Sequence, residues 1–307
     1  MINLTLLTAC GNKTESEKGI GGVTELPDLP ALLASRYGTL DEFKKVVNVH
    51  YDTKYTPDDS IRSGSVTLTY KLNGYECVSQ LKSGISQNDI IKVRDGKPAD
   101  AMHLLLNCPF AVANRVELNR IYKLARRRPV LFGEGDVAFF DLALAFVDNI
   151  FESDGTYLTE RDSSEKGYLN TFNHITAQAL ITSIYSKEMA DFVADVHERK
   201  NMPELIYGNF TSDQLLNLDN NPVDNYVDLI NNELGQTLGD LLRKKYNITY
   251  ETEWTAELLV NYLNDIQLYY SRSFGIGMEP FRSQDEVVSK IIKKLNKSNG
   301  RLSYHDA

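Results

Sequence analysis

Long apolar runs are missing from this sequence: no stretch approaches the ~18 consecutive apolar residues of a membrane-spanning helix, which excludes a helical span. Cysteine is scarce. There are three in 307 residues, Cys10, Cys77 and Cys108, and none lies in a Cys-x-x-Cys spacing, which argues against a cysteine-built zinc site. Glycine-rich phosphate loops are lacking too. Gly133-Glu134-Gly135 and Gly275-Ile276-Gly277 are too short to cradle a nucleotide, and no Ser/His/Asp or Cys/His triad has a local signature. Positive charge is in deficit, with 33 Lys and Arg against 42 Asp and Glu and a net charge of -9. That balance argues against nucleic acid as the main partner, because binding its backbone requires clustered cations. The single basic cluster, Lys123 with Arg126, Arg127 and Arg128, closes on Pro129 and reads as a helix C-terminus whose charge complements the dipole.

What is present suits a folded chain with a real core: 42% of residues are apolar and 24% charged, over a length that suggests two domains. Leu7-Thr8-Ala9-Cys10 has the form of a bacterial lipobox, in which the Cys is cleaved to become a lipidated N-terminus. Met1 to Leu7 is too short for a full apolar signal and carries no Lys or Arg, so the expected start lies upstream of Met1 or was trimmed. The expectation is a lipid anchor at Cys10 and a periplasmic, outer-membrane-anchored or secreted bacterial protein; the alternative is a buried Cys in an ordinary N-terminal strand. Cys77 and Cys108 then remain as a candidate disulfide in an oxidising compartment.

Residues 1–28 read as a signal remnant and a flexible tether, since apolar periodicity is absent from 11–28. Thr39-Leu40-Asp41-Glu42 is a capping box before Phe43, Val46 and Val47, which predicts a short helix. Alternation of Val66, Leu68 and Tyr70, a turn at Asn73-Gly74, and a return through Tyr75, Cys77 and Ser79 predict a β-hairpin. From Ala99 the period is helical, broken at Gly133 and Gly135, and charged turn formers at 152–167 suggest a boundary. Helices follow over 169–186, 187–200, 224–246, 254–271 and 284–296. The fold class expected is α+β: an N-terminal α+β domain over 29–155 with a β-hairpin, then a mainly helical domain over 156–307.

Three helical segments between 168 and 240 carry unusual polarity. His174 shares a stripe with Ala177, Gln178 and Ile181 on a surface that reads as packed. Ala190, Val193, Ala194 and His197 follow the i, i+3, i+4, i+7 rule, which points His197 at the core, while Asp195 and Glu198 share an adjoining face. Asp228, Asn231, Asn232 and Gly235 occupy a stripe that should be apolar, although Asn and Asp are indifferent helix formers and Gly costs about 1 kcal/mol relative to Ala. A buried polar network tying three helices together accounts for any one of these residues. Two inward histidines and three carboxylates on consecutive helices point instead to a metal or acid-base site.

Three blocks carry a resemblance: Asn170-Thr171-Phe172-Asn173-His174, then Asp195-Val196-His197-Glu198, then Asp228-Leu229-Ile230-Asn231-Asn232-Glu233-Leu234-Gly235. In this order they resemble the signature of an uncharacterised bacterial domain family found in secreted, phage-linked and polymorphic-toxin-like proteins. Its members read Asn-Ala-Phe-Arg-His-Ala, Asp-Ala-His-Glu and Met-Asp-Leu-x-Asn-Asn-x-x-Gly. The likeness covers about a quarter of the chain and departs at Asn173, where the family has Arg, and at Ile175, where it has Ala. It implies a site but no reaction. The order of ligands is also similar to that of HD-type phosphohydrolases, by analogy alone.

For a divalent metal such as Zn, Mn or Fe, the preferred ligands are His174, His197 and Asp228. Glu198 or Asp195 would be the base, and Asn231, Asn232 and Asn173 would orient ligands or substrate. Without a metal, Glu198 and Asp195 would form an acid-base pair on a glycan, with Trp254 and nearby tyrosines as stacking surfaces, although Tyr262, Tyr269 and Tyr270 read as core. The expectation is a cell-envelope hydrolase acting on an envelope polymer, lipid or phosphoester. The rival is a non-enzymatic envelope lipoprotein that serves as a binding, interaction or immunity module.

Overall fold

The computed structural model describes residues 27–55, 62–95, 98–151, 153, 160–162, 166–216 and 222–298; Cys10 and most of the expected tether lie outside them. Near the start of the described residues a segment from Leu29 to Leu33 is buried except at Pro30 and leads into a short 3-10 turn, Ala34–Arg36. Half of the capping box forms: Thr39 accepts from the Glu42 amide at 3.2 Å, while the Glu42 carboxylate accepts from the Gly38 amide at 2.6 Å, one residue before the N-cap. It starts only one turn, α1 (Leu40–Phe43), after which the chain enters β1 (Val47–Tyr55). Val47, expected to be helical, opens a strand instead. A β-branched residue packs well on a pleated surface, and a capping box specifies where a helix starts, not how far it runs.

The hairpin stands as expected. Asn73 and Gly74 take φ of 52° and 86°, as a type I′ turn requires, and join β2 (Arg62–Leu72) to β3 (Tyr75–Lys82) with Leu72 opposite Tyr75. The sheet is antiparallel in the order β1-β2-β3. Val47, Val66, Leu68, Tyr70, Cys77, Ser79 and Leu81 are buried, whereas Val78 and Tyr75 are open, so only one face is packed.

Helices make up the rest: α2 (Gln87–Asp95), α3 (Pro98–Asn107), α4 (Pro109–Ala113), α5 (Arg115–Leu124), α6 (Pro129–Phe132) and α7 (Phe139–Asp148), then α8 (Tyr168–Ile184), α9 (Lys187–Glu198), α10 (Glu204–Tyr207), α11 (Ser212–Leu216), α12 (Pro222–Lys245), α13 (Ala256–Phe274) and α14 (Glu286–Ser298). This is an α+β fold, with a three-stranded sheet near the N-terminus and helices after it. No helix among the described residues is long and apolar enough to cross a membrane.

Two large cores organise the packing. One gathers α7, α8, α13 and α14 with Ala31, Leu33, Ile121 and Leu124, and stacks Phe172 on Tyr270 with ring centroids 4.0 Å apart. The other joins the packed sheet face and Phe43 to Met202, Leu205 and the first half of α12, from Val223 to Leu234. Both cores therefore draw on residues from each side of 152–167, and that segment does not separate the packing. Trp254, Tyr262, Tyr269 and Tyr270 are all buried in the first core, which removes them as a sugar-stacking surface. Cys77 and Cys108 are buried, free and in different clusters, so the candidate disulfide is absent.

Lys294 fastens the last helix. Its buried ammonium donates to the Arg126 and Val137 carbonyls and to Asp136, so the charge is paired and hydrogen-bonded. In the basic cluster, Arg127 pairs with Asp141, and Arg126 and Arg128 lie over the Tyr122 ring.

Candidate metal centre

The centre sits on the seam between α8 and α12. Polar pairs recur along it at a constant sequence offset of 58: Lys166–Asp224, Asn170–Asp228, His174–Asn232, Gln178–Gln236 and, one step beyond α8, Tyr185–Arg243. A constant offset repeated mostly every fourth residue means that the two helices run side by side in the same direction, each presenting one i, i+4 face to the other. The glycines permit the approach. A Cβ on Gly235 would stand 2.7 Å from the Ile175 carbonyl oxygen, and one on Gly239 would stand 2.5 Å from that of Ala179. The close neighbour for which Gly235 leaves room is the backbone of α8.

At the middle rungs α9 joins the seam. The Asn232 Oδ1 lies 2.9 Å from His174 Nδ1, and the Asn232 Nδ2 donates to Glu198 Oε1 at 3.3 Å. The amide so oriented assigns the ring proton to Nδ1 and leaves the Nε2 lone pair free. That Nε2 is 3.4 Å from Asp228 Oδ2, whose other oxygen accepts from Asn170 at 2.9 Å. The His174 and His197 rings are 6.1 Å apart, and Gln87 Oε1 lies 3.0 Å from His197 Nδ1. One ligand atom each from His174, His197 and Glu198 lies within 4.8 Å of the others, so this trio could hold a metal ion.

The electrostatics follow from burial. Glu198 is only 1% exposed, and desolvation, reinforced by the Asp228 charge and opposed by His174 and Asn232, pushes its pKa up to about 8. Burial, with Asp224 adding to it, raises Asp228 well above the usual carboxylate range against the pull of Asn170 and Lys166. His197 stays exposed, yet the protein packed about its ring pulls its pKa down to about 4, with His174, Lys200 and Arg126 adding to the effect. At neutral pH that ring is uncharged, the form that ligates metals. Two carboxyls whose pKa values burial raises, beside two imidazoles, form a donor set in which a divalent cation would favour the carboxylate forms.

The expected residues divide into two groups. His174, His197, Glu198, Asp228 and Asn232 come together. Asp195, expected beside Glu198 as a second base, instead pairs with Arg199 at 2.7 Å, and burial raises its pKa to about 6. Asn231 faces away from the centre: its Oδ1 accepts from the Leu32 amide at 3.0 Å and its Nδ2 donates to the Leu32 carbonyl at 2.9 Å. That pairing reproduces a strand partner for the buried N-terminal segment. Asn173 carries none of the described hydrogen bonds of the centre. His197, expected to point into the core, lies at the solvent edge.

Two polar residues of the centre escape the sequence reading. Asn170 lies at i-4 from His174, so the same stripe argument reaches it. Gln87 is 110 residues from the histidine that it holds and has no local signal. No family model, curated protein or solved structure matches this chain.

Proposed function

We propose that the protein is a divalent-metal-dependent hydrolase of the bacterial cell envelope, with His174, His197 and Glu198 as the metal ligands. The observation that carries this reading is the convergence of the three ligand atoms within 4.8 Å, on two helices, with each imidazole held at Nδ1 by a side-chain amide oxygen. Metal-ligating histidines commonly donate their second ring N–H in this way, which fixes the tautomer; His197 so held keeps Nε2 for the ion, while His174 has Glu198 Oε1 3.8 Å from Nδ1 and Asp228 Oδ2 3.4 Å from Nε2. Two imidazoles and a carboxylate suit Zn, Mn or Fe and leave coordination positions open. The ion would supply Lewis-acid activation of a water or a substrate oxygen.

The neighbouring residues support hydrolysis. Asp228, expected from the sequence as a ligand, exchanges roles with Glu198: it faces His174 at 3.4 Å, and burial raises its pKa in the direction that a group shuttling protons requires. The charges of exposed Arg126 and Lys200 reach His197, which favours an anionic substrate and so a phosphoester over a neutral polymer. Placement in the envelope rests on the Cys10 motif. The three blocks that meet here are those through which the chain resembles the uncharacterised bacterial family, and membership in it is part of the proposal.

The test is elemental analysis of the purified protein with a phosphodiester, phospholipid and peptidoglycan panel, each run with and without chelator. A stoichiometric metal, lost in a folded His197→Ala variant, and chelator-sensitive hydrolysis are expected. A wild-type protein that stays folded and metal-free in micromolar zinc would overturn the reading in favour of a non-catalytic binding or immunity module.

A further inference from the structure

Resting on the metal reading, we infer that Gln87 is the positioning residue for His197, so that the metal centre is completed from the N-terminal, sheet-bearing half of the chain. Gln87 is the first residue of α2 and places Oε1 3.0 Å from His197 Nδ1. A carbonyl oxygen can only accept, so this contact keeps the proton on Nδ1 and the lone pair on Nε2.

The contact is built, since both sides of it are anchored. Arg199, directly after α9, donates to the Lys82 carbonyl at 2.7 Å and the Ile85 carbonyl at 3.2 Å, and its third arm holds Asp195 at 2.7 Å. The link from β3 to α2 is thereby tied to the end of the helix that bears His197 and Glu198. Asp89 then accepts from both the amide and the hydroxyl of Ser86 at 2.9 Å, which sets the first turn of α2 and the place from which Gln87 projects. Asn232 does the same for His174 from α12. The two imidazoles are thus oriented by amide oxygens from opposite halves of the chain, and of the two only His197 is exposed enough to swing away when its partner is removed.

The experiment compares zinc dissociation constants of wild-type, Gln87→Ala and Gln87→Glu proteins by competition with a chromophoric chelator, alongside the melting temperature of each metal-free protein. Removing such an outer partner weakens metal binding by roughly 10–100-fold, and that loss is expected for Gln87→Ala at an unchanged metal-free melting temperature. Gln87→Glu, which keeps an acceptor oxygen, restores the affinity. Equal zinc affinity of wild type and Gln87→Ala overturns the inference while the metal centre stands. A wild type that binds no zinc overturns both.

Discussion

Glu198 is the residue whose environment departs furthest from what water would give it. Folding moves its pKa from 4.5 to about 8, mainly by burial. Between those two values the folded state holds a proton that the unfolded state has released, so the contribution of Glu198 to stability is greatest below about pH 4.5 and is lost as pH rises through 8. Denaturant titrations of the metal-free protein should show this decline. Glu198→Gln, which mimics the protonated acid, should narrow it by on the order of a few kcal/mol. Asp228 and Asp195 are raised in the same direction, so some slope will remain in the variant. If wild type and variant decline in parallel, Glu198 does not carry the decline. Saturating zinc should reverse the wild-type trend by favouring the carboxylate, and should not rescue the variant.

The element that decides the centre's shape is the α8–α12 pair. Polar rungs every four residues give it a direction and a register, and Gly235 and Gly239 give it its closeness. A methyl at Gly239 would meet the Ala179 oxygen at 2.5 Å and Thr182 Cβ at 2.8 Å, all of them groups in a packed interface. Overpacking costs about 1–3 kcal/mol, against about 1 kcal/mol gained from helix propensity. Gly239→Ala is therefore expected to destabilise by roughly 1–2 kcal/mol. Gly235→Ala presses on Ile175, next to His174, and should weaken zinc binding as well as lower stability. A Gly235→Ala protein with wild-type stability would show that the helices can separate at no cost. The stripe of Asp228, Asn231, Asn232 and Gly235 was legible as unusual on the helix period alone. Its division was not: two members serve the centre, one clamps Leu32 and one admits a backbone, because the direction of each depends on which element lies opposite.

Across the whole molecule, the boundary expected at 152–167 runs through shared packing. Six apolar residues of α12, Val223, Tyr226, Val227, Leu229, Ile230 and Leu234, pack with the sheet that precedes that segment. Exposing them would forfeit on the order of 10 kcal/mol, comparable to the stability of an entire domain. Residues 29–155 and 156–307 expressed separately should each lack a cooperative unfolding transition. Near-ultraviolet circular dichroism during urea unfolding is the measurement, and a sharp transition in the isolated 156–307 fragment would show that the second half folds alone.

Local chemistry determined a good deal by itself. The Asn73-Gly74 turn needs positive φ, the Thr39 cap starts a helix, and the 3.6-residue period marks α8, α9 and α12 with their histidines and carboxyls; all of these act between near neighbours in the chain. The tertiary structure alone decided that Val47 opens a strand, that Asp195 belongs to Arg199, that Glu198 joins Asp228 beside the histidines and that Gln87 reaches His197. These are partnerships between surfaces distant in sequence, and periodicity can say that a face is polar but not what meets it.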